Sequence, residues 1–213
     1  MKKRLIIIGA GGLAREIFGY LYQNPQPEWE PAGFLDDSPT ALERYQLPVG
    51  ILGPIHGYQP RPDDLFLPGI GDPKIKLKVC HAFREHGAHF ATVIHPRAVV
   101  GYQAKIGVGV FMFPGASIGP YASVGDFVSM GLYSTVTHDC KVGEGCTLCG
   151  HCELNGAVEI GRGIFVGSHA TILPKVHVGD FAIVGAGSAC VNNIKARTTV
   201  LGVPAKMLVR HVE

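Results

Sequence analysis

Beginning at Ile94, every sixth residue is aliphatic or methionine, and the series runs without an insertion through Val100, Ile106, Met112, Ile118, Val124, Met130, Val136, Val142, Leu148, Leu154, Ile160, Val166, Ile172, Val178 and Val184. The residue two places before each is mostly small, as at Ala98, Ala116, Ser134, Cys140, Cys146, Cys152, Ala170 and Ser188. The residue after each is often glycine, as at 101, 107, 119, 125, 131, 143, 161, 167, 179 and 185. A helix repeats every 3.6 residues and a half-buried strand every two, so neither explains a period of six. A fixed period sustained over this length marks a solenoid. Each unit predicts a short strand and a corner; three units close a triangular turn, and residues eighteen apart stack on successive turns, their strands ~4.8 Å apart. In this reading the aliphatic residue fills the prism, the small one sits where the walls converge, and glycine supplies the backbone angles of the corner.

Residues 1–90 carry a different pattern. Arg4–Ile8 is an apolar strand, Gly9-Ala10-Gly11-Gly12 a tight turn, and Leu13–Tyr22 a helix. A second strand, Ala32–Leu35, ends in Asp36-Asp37, and a third, Asp64–Leu67, runs toward Gly69-Ile70-Gly71-Asp72. A basic helix over Pro73–His86 and a last strand over Ala88–Val93 lead into the coil. Strands alternating with helices imply a small parallel sheet, giving a Rossmann-like domain over 1–90 and the coil with its tail over 91–213. Gly9, Gly11 and Ala14 formally fit a dinucleotide fingerprint with Asp36 as its acidic residue, and a glycine turn at a helix N-terminus suits phosphate. Binding of a nucleotide's phosphates, nicotinamide binding and a plain strand–helix turn all remain open on these residues alone.

The balance of charge excludes other classes. The net charge is +2, with 17% charged residues in 213, so no basic face for nucleic acid is indicated. The start, Met1 to Arg4 followed by Leu5–Ile8, has too short an apolar stretch for a signal peptide and is broken by Gly9; a cytoplasmic location is expected. Of six cysteines, those at 140, 146 and 152 fall on the repeat, and Cys149 and Cys152 form a lone CxxC without a second pair, so no metal is expected.

Taken in order, GAGG, GFLDD, GIGD, IHPRAVVG, the hexapeptide coil and the tail Gly202-Val203-Pro204-Ala205-Lys206 resemble the sialic-acid O-acetyltransferase and UDP-4-amino-sugar N-acetyltransferase family, from Leu5 to about Met207. That resemblance implies a left-handed parallel β-helix, a homotrimer, acetyl-CoA bound between adjacent subunits, and an N-terminal domain that holds the nucleotide of a sugar substrate. It implies His138, in Thr137-His138-Asp139, as general base, Asp139 as the residue that orients it, and the Gly156 N–H, one coil on, as oxyanion donor. Gly156, Gly185, Ala186, Gly187 and Lys206 are expected along acetyl-CoA, with Lys195, Arg197 and Arg210 supplying charge near its phosphates. Gly9, Gly11, Gly12, Asp36 and Asp37 are expected at the nucleotide.

The residue chemistry agrees. Acetyl transfer from a thioester needs a base for the acceptor's proton and a donor for the developing oxyanion, and imidazole titrates near neutrality. Two positions depart from the family pattern. Gly131 stands seven residues before His138 where members acting on 4-amino sugars often have Asn, and Thr147 stands nine residues after it where a second His is common. The acceptor, amine or hydroxyl, therefore stays open, sialic-acid-type O-acetylation being the alternative. His151 and His169, one coil apart above Tyr133, are a further column to place. A γ-type carbonic anhydrase would need His pairs five apart within the coil, which are absent. The rival of a different class is a non-catalytic sensor of nucleotide sugar or nicotinamide.

Overall fold

The computed structural model describes residues 2–208. Five parallel strands form the N-terminal sheet: β1 (Lys3–Ile8), β2 (Trp29–Leu35), β3 (Ile51–Gly53), β4 (Asp64–Pro68) and β5 (His89–Phe90), in the order β3-β2-β1-β4-β5. Helix α1 (Gly12–Gln23) packs Ile17, Phe18 and Leu21 with Leu5 and Ile7 of β1, while α2 (Pro73–Glu85) packs Val79 and Phe83 with Ile6 and Ile8 on the opposite face. The alternation along β1 thus feeds two cores, as expected of a strand covered on both sides. Asp72 caps α2 by accepting from the Ile75 N–H at 2.9 Å, with Pro73 at the first helical position. The edge strand β3 carries no periodic signal in three residues, which is why the sequence reading passed over it.

The remainder is a left-handed β-helix. Its seventeen two-residue strands run from Val93–Ile94 to Ala189–Cys190 and stack in parallel at a register of eighteen, three to a turn. The first wall holds Val93–Ile94, Phe111–Met112, Ser129–Met130, Thr147–Leu148 and their successors; the second holds Ser117–Ile118 and Thr135–Val136; the third holds Ser123–Val124 and Lys141–Val142. The expected strand 88–93 is in fact two: His89–Phe90 pairs with β4, while Val93 already pairs with Phe111 in the coil. No described helix is long and apolar enough to cross a membrane.

The repeat residues from Met112 onward fill the prism, with Cys140, Cys146 and Cys152 buried among them. Two of the expected fillers do not: Ile94 and Val100 are 41% and 42% exposed, because they lie in the first turn, where no coil stacks beneath them. The glycines after each aliphatic residue also play a different part from the one expected. The left-handed backbone angles fall two residues further on, at Tyr121, Tyr133, Asp139, His151 and His169 among others. What the repeat glycines permit is close stacking: a Cβ on Gly119 would lie 2.7 Å from the His138 nitrogen, and one on Gly101 2.7 Å from the Pro120 nitrogen. Coils packed at strand spacing leave no room for a side chain there.

The two parts are pressed together along the first wall. Phe111 and Phe113 join the core beneath α1, and Leu77 and Cys80 of α2 pack on Phe127. His95 sits in this junction, where its ring meets Tyr20 edge-on and the Arg97 N–H donates to Nδ1 at 3.1 Å.

Candidate active site

His138 and Asp139 occupy the corner between the second and third walls, one place past Thr137. Neighbouring residues on a strand point to opposite sides, but Asp139 has φ +61°, and that turn of the backbone brings its carboxylate to 2.8 Å from His138 Nδ1. A carboxylate only accepts, so Nδ1 carries the proton and Nε2 is left with its lone pair. Both side chains are open to solvent. Gly156 lies directly above: a Cβ there would stand 2.7 Å from both Cε1 and Nε2 of His138, so the imidazole occupies the space a side chain would take. The Gly156 N–H donates to no group among the described residues, while the neighbouring Ala157 N–H is taken by the His138 carbonyl at 3.0 Å.

Of the residues expected at acetyl-CoA, Gly156 shares the His138 edge, while the others gather on a different edge, between the first and second walls. Gly185–Gly187 form the corner there, and Gly187 donates to the Ser168 carbonyl of the coil below. The tail folds back on this edge: Ala205 N–H donates to the Ala189 carbonyl at 2.8 Å, and Lys206–Met207 pairs antiparallel with Thr199–Leu201. Lys206 is exposed; Arg210 lies outside the described residues. Below, on the same edge, Tyr133, His151 and His169 stack as an exposed column with ring centroids 5.2 and 4.8 Å apart.

At the carboxyl edge of the N-terminal sheet, Gly9 has φ +94°, and Gly11 and Gly12 face open space. The Asp36 carboxylate accepts from the Ala10 N–H at 2.8 Å and the Ser38 N–H at 2.9 Å, so it braces the glycine turn. Asp37 accepts from the Ile55 and His56 amides and from His56 Nδ1 at 2.7 Å. Burial works against the charge on Asp37, but the His56 amide and ring and the Ile55 amide outweigh it and hold the carboxyl below its usual range.

Two cavities accompany these residues. The larger, about 390 Å³, lies between α2 and the Ile55–Pro60 loop and touches none of the expected site residues except through His56, the partner of Asp37. The second, about 250 Å³, opens between α1 and the first wall, lined by Leu13, Glu16, Ser129, Thr147, Cys149 and Gly150 among others. Burial raises the Glu16 carboxyl above its ordinary range, and likewise the Cys149 thiol, which Lys76 only partly offsets. Beneath this pocket is a residue the sequence reading did not single out. Lys76 is completely buried, its pKa pushed down to about 8 by burial against the pull of Cys146. It was hidden because Lys74 and Lys78 flank it on α2, and three lysines on a helix read as a solvated face.

Residues 4–83 match the PglD N-terminal domain family. Across nearly the whole chain the fold matches a perosamine N-acetyltransferase from Caulobacter crescentus, solved in complex with CoA and GDP-perosamine, at 30% identity and a TM-score of 0.86, covering 97% of each chain. It also matches the acetyltransferase domain of PglB from Neisseria gonorrhoeae at 25% identity and a TM-score of 0.85, covering 97% of this chain and 100% of that one. A serine acetyltransferase from Buchnera aphidicola is 43% identical over 47 residues, 22% of this chain; the match spans only 17% of the length of that curated relative.

Fold and likeness together define a hexapeptide-repeat acyltransferase. Within that class, the chain belongs to the family of sialic-acid O-acetyltransferases and UDP-4-amino-sugar N-acetyltransferases.

Proposed function

We propose that the protein transfers acetyl from acetyl-CoA to the amino group of a nucleotide-linked amino sugar, with His138 as general base. The observation that carries this reading is the His138 corner: an exposed imidazole whose Nδ1 is held by Asp139, set against a glycine whose N–H has no partner among the described residues. The acceptor amine attacks the thioester carbonyl while Nε2 takes its proton, and the Gly156 N–H donates to the oxyanion of the tetrahedral intermediate. Collapse breaks the C–S bond, and the imidazolium returns the proton to the departing thiolate. Amine rather than hydroxyl is favoured by the perosamine N-acetyltransferase likeness. The nucleotide lies along Gly9, Gly11 and Gly12, with Asp36 and Asp37 at its base or ribose.

The positions of the parts support a homotrimer with shared sites. The pocket, Gly185–Gly187 and Lys206 lie along one edge of the prism and His138 on another. A cleft between two copies brings the edge of one chain to His138 of the next. Acetyl-CoA then runs down that cleft past Gly156, Ala186 and Lys206.

The test is thiol release from acetyl-CoA against GDP-perosamine, dTDP-4-amino-4,6-dideoxyglucose and free sialic acid. Turnover confined to the nucleotide amino sugars is expected. Turnover of sialic acid alone would replace N-acetylation with O-acetylation, and tight NADH binding with no thiol release would favour the sensor.

A further inference from the structure

The outward column of the first wall reads Val93, Phe111, Ser129, Thr147, Phe165, Ile183, Thr199, and Ser129 and Thr147 are its only two adjacent polar members. Both hydroxyls meet one group. Lys76 reaches from α2 into this gap, with none of its surface exposed, and its ammonium donates to Thr147 Oγ1 at 2.9 Å, to the Cys146 carbonyl at 3.1 Å and to Ser129 Oγ at 3.3 Å. Those three acceptors match its three donors. No carboxylate is among them.

The two hydroxyls differ in what they do with their own protons. Thr147 accepts from Lys76 and donates to the Gly71 carbonyl at 2.9 Å, so its proton is committed and it ties the Gly69–Asp72 segment to the coil. Ser129 Oγ has Lys76 as its one protein partner among the described residues. An ammonium has no lone pair, so Ser129 must accept there, and its proton has to point elsewhere. Ser129 is 3% exposed, and it lines the 250 Å³ pocket between α1 and the first wall. A buried hydroxyl proton is costly to leave without an acceptor, and an oxygen of a ligand in the pocket would supply one.

We infer that Ser129 is a substrate-binding residue that donates a hydrogen bond to an oxygen of the acceptor sugar, and that Lys76 is the positioning residue that makes it a donor. The pocket is then the sugar's seat, framed by Leu13 and Glu16 on one side and Cys149 and Gly150 on the other. This rests on the nucleotide-sugar reading and adds to it which residues hold the sugar ring.

Calorimetric titration with GDP-perosamine tests it through Ser129→Ala, Lys76→Met and the double variant. One neutral hydrogen bond corresponds to a roughly 3- to 10-fold weaker Kd for Ser129→Ala, with acetyl-CoA binding unchanged. Lys76→Met should weaken the sugar nucleotide at least as much, and the double variant should be no weaker than Lys76→Met alone, since the serine is disarmed once the lysine is gone. Unchanged binding by Ser129→Ala, or a double variant equal to the product of the two singles, overturns the inference. Should Lys76→Met fail to fold, Ser129→Ala still decides. A wild type that binds GDP-perosamine without acetylating it would overturn the acetyltransferase reading while leaving this ratio readable.

Discussion

A single imidazole carries the proposed chemistry, and its setting makes its removal interpretable. His138→Ala should lower turnover by roughly 10²–10⁴-fold with little change in either substrate's binding, the signature of a lost general base. Steady-state kinetics checks this; a matching rise in both Michaelis constants would point instead to a disturbed coil. Cys149→Ala should keep a catalytic turnover number close to wild type, any effect falling on the sugar's Michaelis constant, because burial raises the thiol's pKa and leaves little thiolate for a covalent route. Accumulation of an acetylated enzyme without acceptor would contradict it. Lys76 yields a prediction on stability. Its pKa falls from 10.5 to about 8 on folding, so between those values the unfolded chain holds more protons and stability rises with pH. At neutral pH the shift costs roughly 3 kcal/mol. Lys76→Met is free of that penalty, so wild type should gain on it in melting temperature from pH 8 to 10. The buried Cys80 and Cys146 thiols, pushed up to about 12, act oppositely, and because the Lys76 charge pulls both down, their loss of stability with pH is the smaller in wild type, which adds to the expected difference. A pH-independent difference would mean the lysine is not buried as a charge.

At the scale of the element, the coil and the His138 corner cannot be altered separately. Gly119 sits one turn below His138, and the atoms its Cβ would meet are backbone: the His138 nitrogen and the Thr137 carbonyl carbon, both at 2.7 Å. Backbone cannot swing aside as a side chain does, so Gly119→Ala should cost about 1–3 kcal/mol by overpacking and reduce turnover as well. A melting temperature and rate equal to wild type would show that the coil yields at this point. The same stacking explains how legible this region was. The period of six gave the coil, its buried residues and the alignment of residue 138 with 156, since stacking at eighteen follows from three units per turn. It did not reveal why the repeat needs glycine: periodicity reports a small residue, whereas the backbone angles show that the left-handed turn belongs to the residues two places later.

For the whole molecule, the separation of His138 from the pocket and the tail predicts assembly. Sedimentation should show a species near three times 22.7 kDa. Complementation is the sharper measurement. His138→Ala lacks the base, and Gly150→Phe should block the pocket, so each alone should be inactive. Co-expressed, mixed trimers place the histidine of one chain against the open pocket of another, and a fraction of activity should return. A mixture as dead as its components, or a monomer with full activity, would rule out shared sites.

The sequence by itself determined whatever depends on local order: the prism from its period, the parallel sheet from alternating strands and helices, and the His138–Asp139 pair from adjacency in a corner. Only the tertiary structure decided how α2 lies on the first wall. Lys76 is 53 residues from Ser129 and 71 from Thr147, and nothing in either segment names the other. A lysine between two lysines reads as solvated until a packed neighbour removes the water. Asp36 shows the same division. Its place after β2 is read directly, but its bond to the Ala10 amide, 26 residues away, exists because β1 and β2 are paired side by side. Periodicity records which face of a segment is buried, whereas the partner that buries it is fixed by three-dimensional packing.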